Sequence, residues 1–326
     1  MSKLDILYDR VKKILEQEEK TPFTVSIMGQ TGVGKSSLIN ALFGTKLDVS
    51  ATSPGTEKIE EIYITGSLGH KLLFYDIPGI GSSKRADEKY LAEYEQKLIE
   101  SDVILWAILC DSRSFSYDLD ALDILFASIT KLSRTEILSK MIFVLTKVDI
   151  LIPPPWILAK TGEMGVFVPQ ADTVSLLKEK EEFVQRNFIL PYKDSLISQT
   201  YFKEPFKIDD EKFEYENNEI RYKGVLTWEE LESLKKRFPS NQETLERLYD
   251  NYRVVPCSSR FQFNLDLLTR LIITKLGTGA IARFSNLYTD KNLYTIPLSE
   301  AKNLSNIVVV DRSEKKVVFD LASTEI

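Results

Sequence analysis

Gly29-Gln30-Thr31-Gly32-Val33-Gly34-Lys35-Ser36 fits the pattern G-x-x-x-x-G-K-[ST] at every fixed position. The stretch before it, Phe23-Thr24-Val25-Ser26-Ile27-Met28, reads as a buried strand. The stretch after it, Ser37-Leu38-Ile39-Asn40-Ala41-Leu42-Phe43, reads as a helix stopped by Gly44. Strand, glycine-rich turn and helix N-terminus together aim backbone N–H groups at a polyphosphate. The glycines permit close backbone approach, Lys35 is placed to reach β- and γ-phosphates, and Ser36 to hold Mg2+. The alternative, a glycine turn without a ligand, does not account for the strand and helix on either side.

The rest of the composition narrows the function classes. The chain has 326 residues, room for one large domain or two ordinary ones. A net charge of -6 argues against broad binding to nucleic acid or anionic membrane. The two cysteines, Cys110 and Cys257, fall in or beside expected strands and read as core thiols, which suits a reducing compartment. The longest apolar run, Val103 to Cys110, is too short to span a bilayer, and the N-terminus carries no apolar signal segment, so the expected location is the cytoplasm. His70 is the only histidine and follows Gly69 in an expected hairpin turn, which excludes a histidine-based triad or metal cluster.

Four further signals follow in order. Asp76-Ile77-Pro78-Gly79 ends the apolar run Leu72-Leu73-Phe74-Tyr75, where a carboxylate can reach Mg2+ through a water and the Gly79 N–H can meet a γ-phosphate. Thr56, in Ser53-Pro54-Gly55-Thr56, offers a hydroxyl and a carbonyl to a cation that takes oxygen ligands. Thr146-Lys147-Val148-Asp149 follows the run Met141 to Leu145, and Cys257-Ser258-Ser259 follows Val254-Val255.

This ordered set resembles the five G motifs of the TRAFAC-class P-loop GTPases. In style it is similar to the Era-like and interferon-inducible groups, over roughly residues 22–150 and 250–277. The resemblance implies a ligand, GTP or GDP with Mg2+, and roles for named residues. Gly29, Gln30, Thr31, Gly32, Val33, Gly34, Lys35, Ser36 and Ser37 would hold the phosphates. Ser36, Thr56 and Asp76 would hold Mg2+, and Lys35, Thr56 and Gly79 would assist hydrolysis. Thr146, Lys147, Asp149, Ser258 and Ser259 would hold the base. Asp149 would accept from guanine N1–H and the 2-amino group, a donor pair that adenine lacks, and Ser258 would present its backbone N–H to guanine O6. An unpaired buried acceptor rejects the wrong ligand by about 10⁴.

The chain also departs from the simplest members. Ile80 stands where Ras-like enzymes place a glutamine that orients the attacking water, so intrinsic turnover should be slow. Gly32 stands where relatives that use K+ carry an asparagine. An arginine given in trans is another family solution; Arg85 and Arg113 are candidates, and the side chains of Gln30 and Thr31 also lie near the phosphates.

The expected organisation is an N-terminal helix over 1–21, a GTPase domain over 22–150 and 250–277, an insertion of mixed helix and hairpin over 151–249, and a C-terminal extension over 278–326. Within the insertion, the spacing predicts a helix from about Thr173 to Ile189 with Val174, Leu177, Val184 and Phe188 on one side. A hairpin is expected about Glu216-Asn217-Asn218-Glu219, with capping boxes at Thr227–Glu230 and Ser240–Glu243. Phe202, Phe206, Phe213, Tyr215 and Tyr222 read as a small satellite core, with a recognition surface as the alternative. Asn264 is expected to cap a helix ended by Gly277, and Val308 to Phe319 to form a hairpin that adds to a sheet edge or pairs with another chain.

The expected fold is α/β, a mostly parallel sheet flanked by helices, with one antiparallel pair, Ile59–Thr65 and Lys71–Tyr75. The expected function is a GTP-hydrolysing switch, whose partners are a second copy of the chain or a protein effector. The alternatives are a septin- or interferon-inducible-like assembly module and a ribosome- or RNA-associated Era-like protein.

Overall fold

The computed structural model describes residues 22–44, 59–65, 71–78, 93–112, 115–129, 131–151, 156–161, 163–277, 295–301, 307–311 and 316–320. The expected N-terminal helix over 1–21 lies outside them.

The first five strands are β1 (Phe23–Gly29), β2 (Glu60–Thr65), β3 (Lys71–Asp76), β4 (Val103–Leu109) and β5 (Met141–Thr146). The insertion carries β6 (Trp156–Thr161), β7 (Met164–Val168), β8 (Ile197–Tyr201), β9 (Phe213–Glu216) and β10 (Glu219–Lys223). Beyond it come β11 (Val255–Pro256), β12 (Ile296–Pro297), β13 (Ile307–Asp311) and β14 (Lys316–Asp320).

The central sheet has the order β11-β5-β4-β1-β3-β2. Every neighbouring pair in it is parallel except β2 with β3, which is antiparallel as the sequence predicts. Its inner strands read as unbroken apolar runs because helices cover both faces. Met28, Ile104, Trp106, Ile108 and Phe143 face one core, and Val25, Ile27, Val103, Leu105 and Val144 face the other. Each such side chain removed from water contributes about 1.5–3 kcal/mol, so the strand ends that carry the motifs stand on a rigid floor. The second core is closed by helix α1 (Lys35–Phe43) through Leu38 and Leu42, and by residues 265–275 through Leu265, Leu268 and Ile272. The first is closed by helix α2 (Ser116–Ser128) and by the insertion, where Phe188 meets Phe143 edge-on at 5.6 Å.

The insertion is not a separate lobe. Its hairpin β6–β7 joins β12, β13 and β14 in a second sheet of order β12-β7-β6-β13-β14. The expected C-terminal hairpin forms, and β13 pairs in parallel with β6 rather than with the central sheet. A third sheet, β8-β10-β9, packs with helices α3 (Trp228–Arg237) and α4 (Gln242–Asp250) around Phe213, Tyr222, Leu231, Leu245 and Leu248. The insertion's five aromatics belong to this cluster, as the satellite-core reading expects. The β9–β10 turn is tight because Asn217 and Asn218 both take positive φ, 47° and 64°.

Several local expectations change. The insertion's first helix runs Ala171–Val184 and continues as a π-turn over Gln185–Ile189; Leu177, Val184 and Phe188 are buried, but Val174 is 49% exposed. The Thr227–Glu230 capping box forms. The Ser240–Glu243 one does not, because Pro239 starts a 3-10 turn, Pro239–Asn241, that moves the helix start to Gln242. Asn264 occupies its cap position without a side-chain cap bond, since its amide donates to Pro256 O at 2.9 Å. Both thiols are buried and free; burial pushes Cys110 up to about 12 and Cys257 well above its ordinary value, so they are inert core groups. Among the described residues no helix is long and apolar enough to cross a membrane.

Candidate nucleotide site

β1, β3, β5 and β11 end at one edge of the central sheet, and each is followed at once by a motif segment. The loop after β1 is held from both sides. Gly29 (φ 140°) lies against β4 so closely that a Cβ would fall on the Ala107 carbonyl oxygen. On the other side, Thr146 Oγ1 donates to Val33 O at 2.7 Å, and Lys147 Nζ donates to Gly32 O at 2.8 Å, its stem passing over Gly34. Lys147 reaches there from a left-handed backbone (φ 56°). Gly34 (φ 98°) caps α1 and directs the helix N-terminus into the loop.

The loop's glycines differ in what a side chain would do. Gly29→Ala should lower the unfolding free energy by about 2–3 kcal/mol through overpacking against backbone. Gly32 (φ 81°) faces open space, so Gly32→Ala should cost only about 1 kcal/mol of backbone strain. Equal melting temperatures for the two variants in a calorimetric scan would contradict this assignment.

Lys35 is 7% exposed, and its Nζ donates to the carbonyls of Gln30 (3.2 Å) and Gly29 (3.4 Å). Burial lowers its pKa, opposed by the nearby Asp76 charge. Ser36 Oγ donates to Asp76 Oδ2 at 2.6 Å, although the two residues come from different elements. A hydroxyl and a carboxylate meeting at the phosphate loop are a donor pair fit for a hard divalent cation. Thr56 and Gly79, and with them Ile80, Arg85 and Arg113, lie outside the described residues.

One contact of the loop was invisible in the sequence. The Gln30 side chain, offered above as a group near the phosphates, donates instead to Asp118 in the first turn of α2. Asp118 is 1% exposed, and its Oδ1 has no partner among the described residues. Burial pushes its pKa up to about 6 in spite of the Gln30 bond. An acid early in a helix is too common a pattern to have marked it.

The base side is built from Asp149 and the turn after β11. Ser258 is fully buried, and its Oγ donates to Asp149 Oδ1 at 2.6 Å. Its backbone N–H, expected above to meet the base, is already given to Phe263 O at 3.2 Å, and Phe263 N–H returns to Ser258 O at 3.0 Å. Ser258 is thus tied to Asp149 through its hydroxyl and to Phe263 through its backbone. A cavity of about 590 Å³ opens here; Gly34, Ser37, Lys147, Asp149, Ser259 and Arg260 are among the residues that line it.

Comparison with known proteins agrees with this geometry. Residues 24–147 match the family model described as 50S ribosome-binding GTPase. The uncharacterized protein YkfA of Escherichia coli (strain K12) is 38% identical over 96 residues, covering 29% of this chain and 33% of that one. GTPase Era of Deinococcus deserti is 35% identical over 85 residues, covering 26% of this chain and 28% of that one. The chain thus spans a third or less of the length of these relatives. A structure of Toc33 from Arabidopsis thaliana in complex with Mg2+ and GMPPNP aligns with a TM-score of 0.39 at 17% identity, over 76% of this chain and 75% of that one. The family match ends at Lys147 and so takes in β1 to β5 with the phosphate loop and the Asp76 and Thr146–Lys147 segments.

Proposed function

We propose that the protein binds Mg2+–GTP and hydrolyses it to GDP and phosphate, acting as a nucleotide-dependent switch with slow intrinsic turnover. The observation that carries this reading is Asp149, which lines the cavity beside the phosphate loop and is held from behind by the Ser258 hydroxyl. With one oxygen of Asp149 occupied by Ser258, the other is left for the paired donors of guanine. The Ser259 N–H takes the O6 role, and the Lys147 stem lies along the base.

At the phosphates, the loop N–H groups and the α1 N-terminus receive the anionic oxygens. Lys35 leaves the Gly29 and Gln30 carbonyls and turns to the β- and γ-phosphates. Ser36 and Asp76, with Thr56, would hold Mg2+, and the ion would supply positive charge against the β- and γ-oxygens. The Gly79 N–H meets the γ-phosphate. Water attacks in line, and the segments around Thr56 and after Gly79 are the switch released when phosphate leaves.

A second reading is supported by Ile80, a side chain that neither donates nor accepts. In it, a second copy of the chain supplies the missing group, and nucleotide controls assembly. GTP turnover per protomer, measured across a wide range of protein concentrations with ATP in parallel, separates the two. A rate that climbs with concentration supports completion in trans; a flat, slow rate supports a switch that awaits an external activator. Equal use of ATP would sink the guanine assignment in both. Association with RNA, in line with the description of the matched family, is the weakest reading at a net charge of -6, and steep salt-sensitive RNA binding would revive it. We place the protein in the cytoplasm, where two buried free thiols suit reducing conditions.

A further inference from the structure

Among the described residues, the second sheet meets the turn after β11 through two aromatic side chains. Trp156 of β6 and Phe167 of β7 are 4% and 2% exposed, and both pack on the turn that follows β11. Phe167 stacks on Phe261 with ring centroids 4.1 Å apart and planes 14° from parallel. Trp156 meets Phe261 edge-on at 5.3 Å and Phe263 at 4.8 Å. From there the contacts lead to the base reader in two steps. The Phe261 backbone N–H donates to Ser258 Oγ at 2.9 Å. That hydroxyl, with its oxygen occupied as an acceptor, gives its own proton to Asp149 Oδ1 at 2.6 Å. Phe263 closes the same turn through its two backbone bonds to Ser258.

We propose that Trp156 and Phe167 are positioning residues for guanine: the hairpin that opens the insertion clamps the Ser258–Phe263 turn and so sets how long the nucleotide stays bound. The inference rests on the GTP-binding reading above and assigns the insertion a role within it. The turn is closed by its own hydrogen bonds, but its side chains add little to them. Arg260 is exposed, and Gln262 and Asn264 both take positive φ, 50° and 56°, a strained backbone for side chains of this kind. The rings of β6 and β7 supply the restraint. Without them Phe261 is free to leave, Ser258 Oγ loses its N–H donor, and the Asp149 carboxylate loses the bond that fixes its orientation. The phosphate loop is untouched, because its ties run to Ala107, Asp118, Thr146 and Lys147 instead.

The test uses the full chain. Trp156→Ala and Phe167→Ala should each speed dissociation of a fluorescent GDP about tenfold, the loss of one aromatic pair expressed as a rate. Trp156→Phe, which keeps a ring in place, should recover most of that loss. Leu231→Ala, in the satellite core around α3, is the control: it removes a buried side chain from a cluster that does not include the turn and should leave the dissociation rate as it was. Hydrogen exchange without nucleotide gives a readout independent of the GTP reading. Amides of residues 258–263 should exchange faster in the Trp156 and Phe167 variants and not in Leu231→Ala. If an alanine variant does not fold, Phe167→Leu and Trp156→Leu, which keep a buried apolar side chain but no ring, carry the comparison. Exchange and dissociation that change no more in the hairpin variants than in Leu231→Ala overturn the proposal. A wild-type chain that fails to bind GDP overturns the GTP reading, and the exchange data then judge the clamp alone.

Discussion

Lys35→Ala is expected to weaken GTP binding by about 10²–10³-fold, the loss of charge-assisted contacts to two phosphates. The same variant should leave the nucleotide-free protein as stable as before, or slightly more so. The sign follows from burial. Desolvation is the first cause of the lowered Lys35 pKa, so its charged form is disfavoured on folding, and stability derived from it falls, not rises, as the amine is protonated. Its two contacts to Gly29 and Gln30 carbonyls are long, at 3.4 and 3.2 Å. The residue is thus held at some cost for a ligand. Isothermal titration with a non-hydrolysable GTP analogue and a melting curve of the free protein together decide it. Near-normal affinity would remove the phosphate-loop assignment, and a large drop in melting temperature would show that Lys35 is a structural group.

Asp149→Asn should exchange guanine for xanthine. The Ser258 hydroxyl can still donate to the side-chain carbonyl of asparagine, which turns the new NH2 toward the base. A donor there meets guanine's own donors and leaves them unpaired, at about 10⁴ in affinity, while the 2-oxo group of xanthosine triphosphate accepts from it. Competition of the two triphosphates for the variant, read by displacement of a fluorescent nucleotide, measures the switch. An unchanged preference for GTP would refute Asp149 as the base reader.

The central fold was legible because its signals are local. An apolar run followed at once by a short motif defines each of these strands, and the order of parallel strands brings the motifs to one edge. The loop residues Gly29 to Ser36 and the pair Lys147 and Asp149 stand where their spacing put them. What escaped reading depends on partners distant in sequence. Asp118 matters only because α2 places it against Gln30. The hairpin β6–β7 has strands of only six and five residues, too short to stand out from the loops around them. Trp156 and Phe167 gain meaning only from Phe261, roughly a hundred positions away along the chain. The Ser258 N–H escapes for a local reason instead: it closes a turn onto Phe263 O, five positions on, and nothing in Cys257-Ser258-Ser259 marks that turn.

The parallel pairing of β13 with β6, in which Ile307 stands beside Trp156, also fixes an order of events during synthesis. A ribosome completes the phosphate cradle first, the Ser258 turn more than a hundred residues later, and the strands that finish the bracing sheet last. Parallel pairings so far apart in sequence form slowly. A nascent chain should therefore be able to grip phosphate well before it can retain guanine, so that commitment to GTP marks the end of folding as much as the start of function.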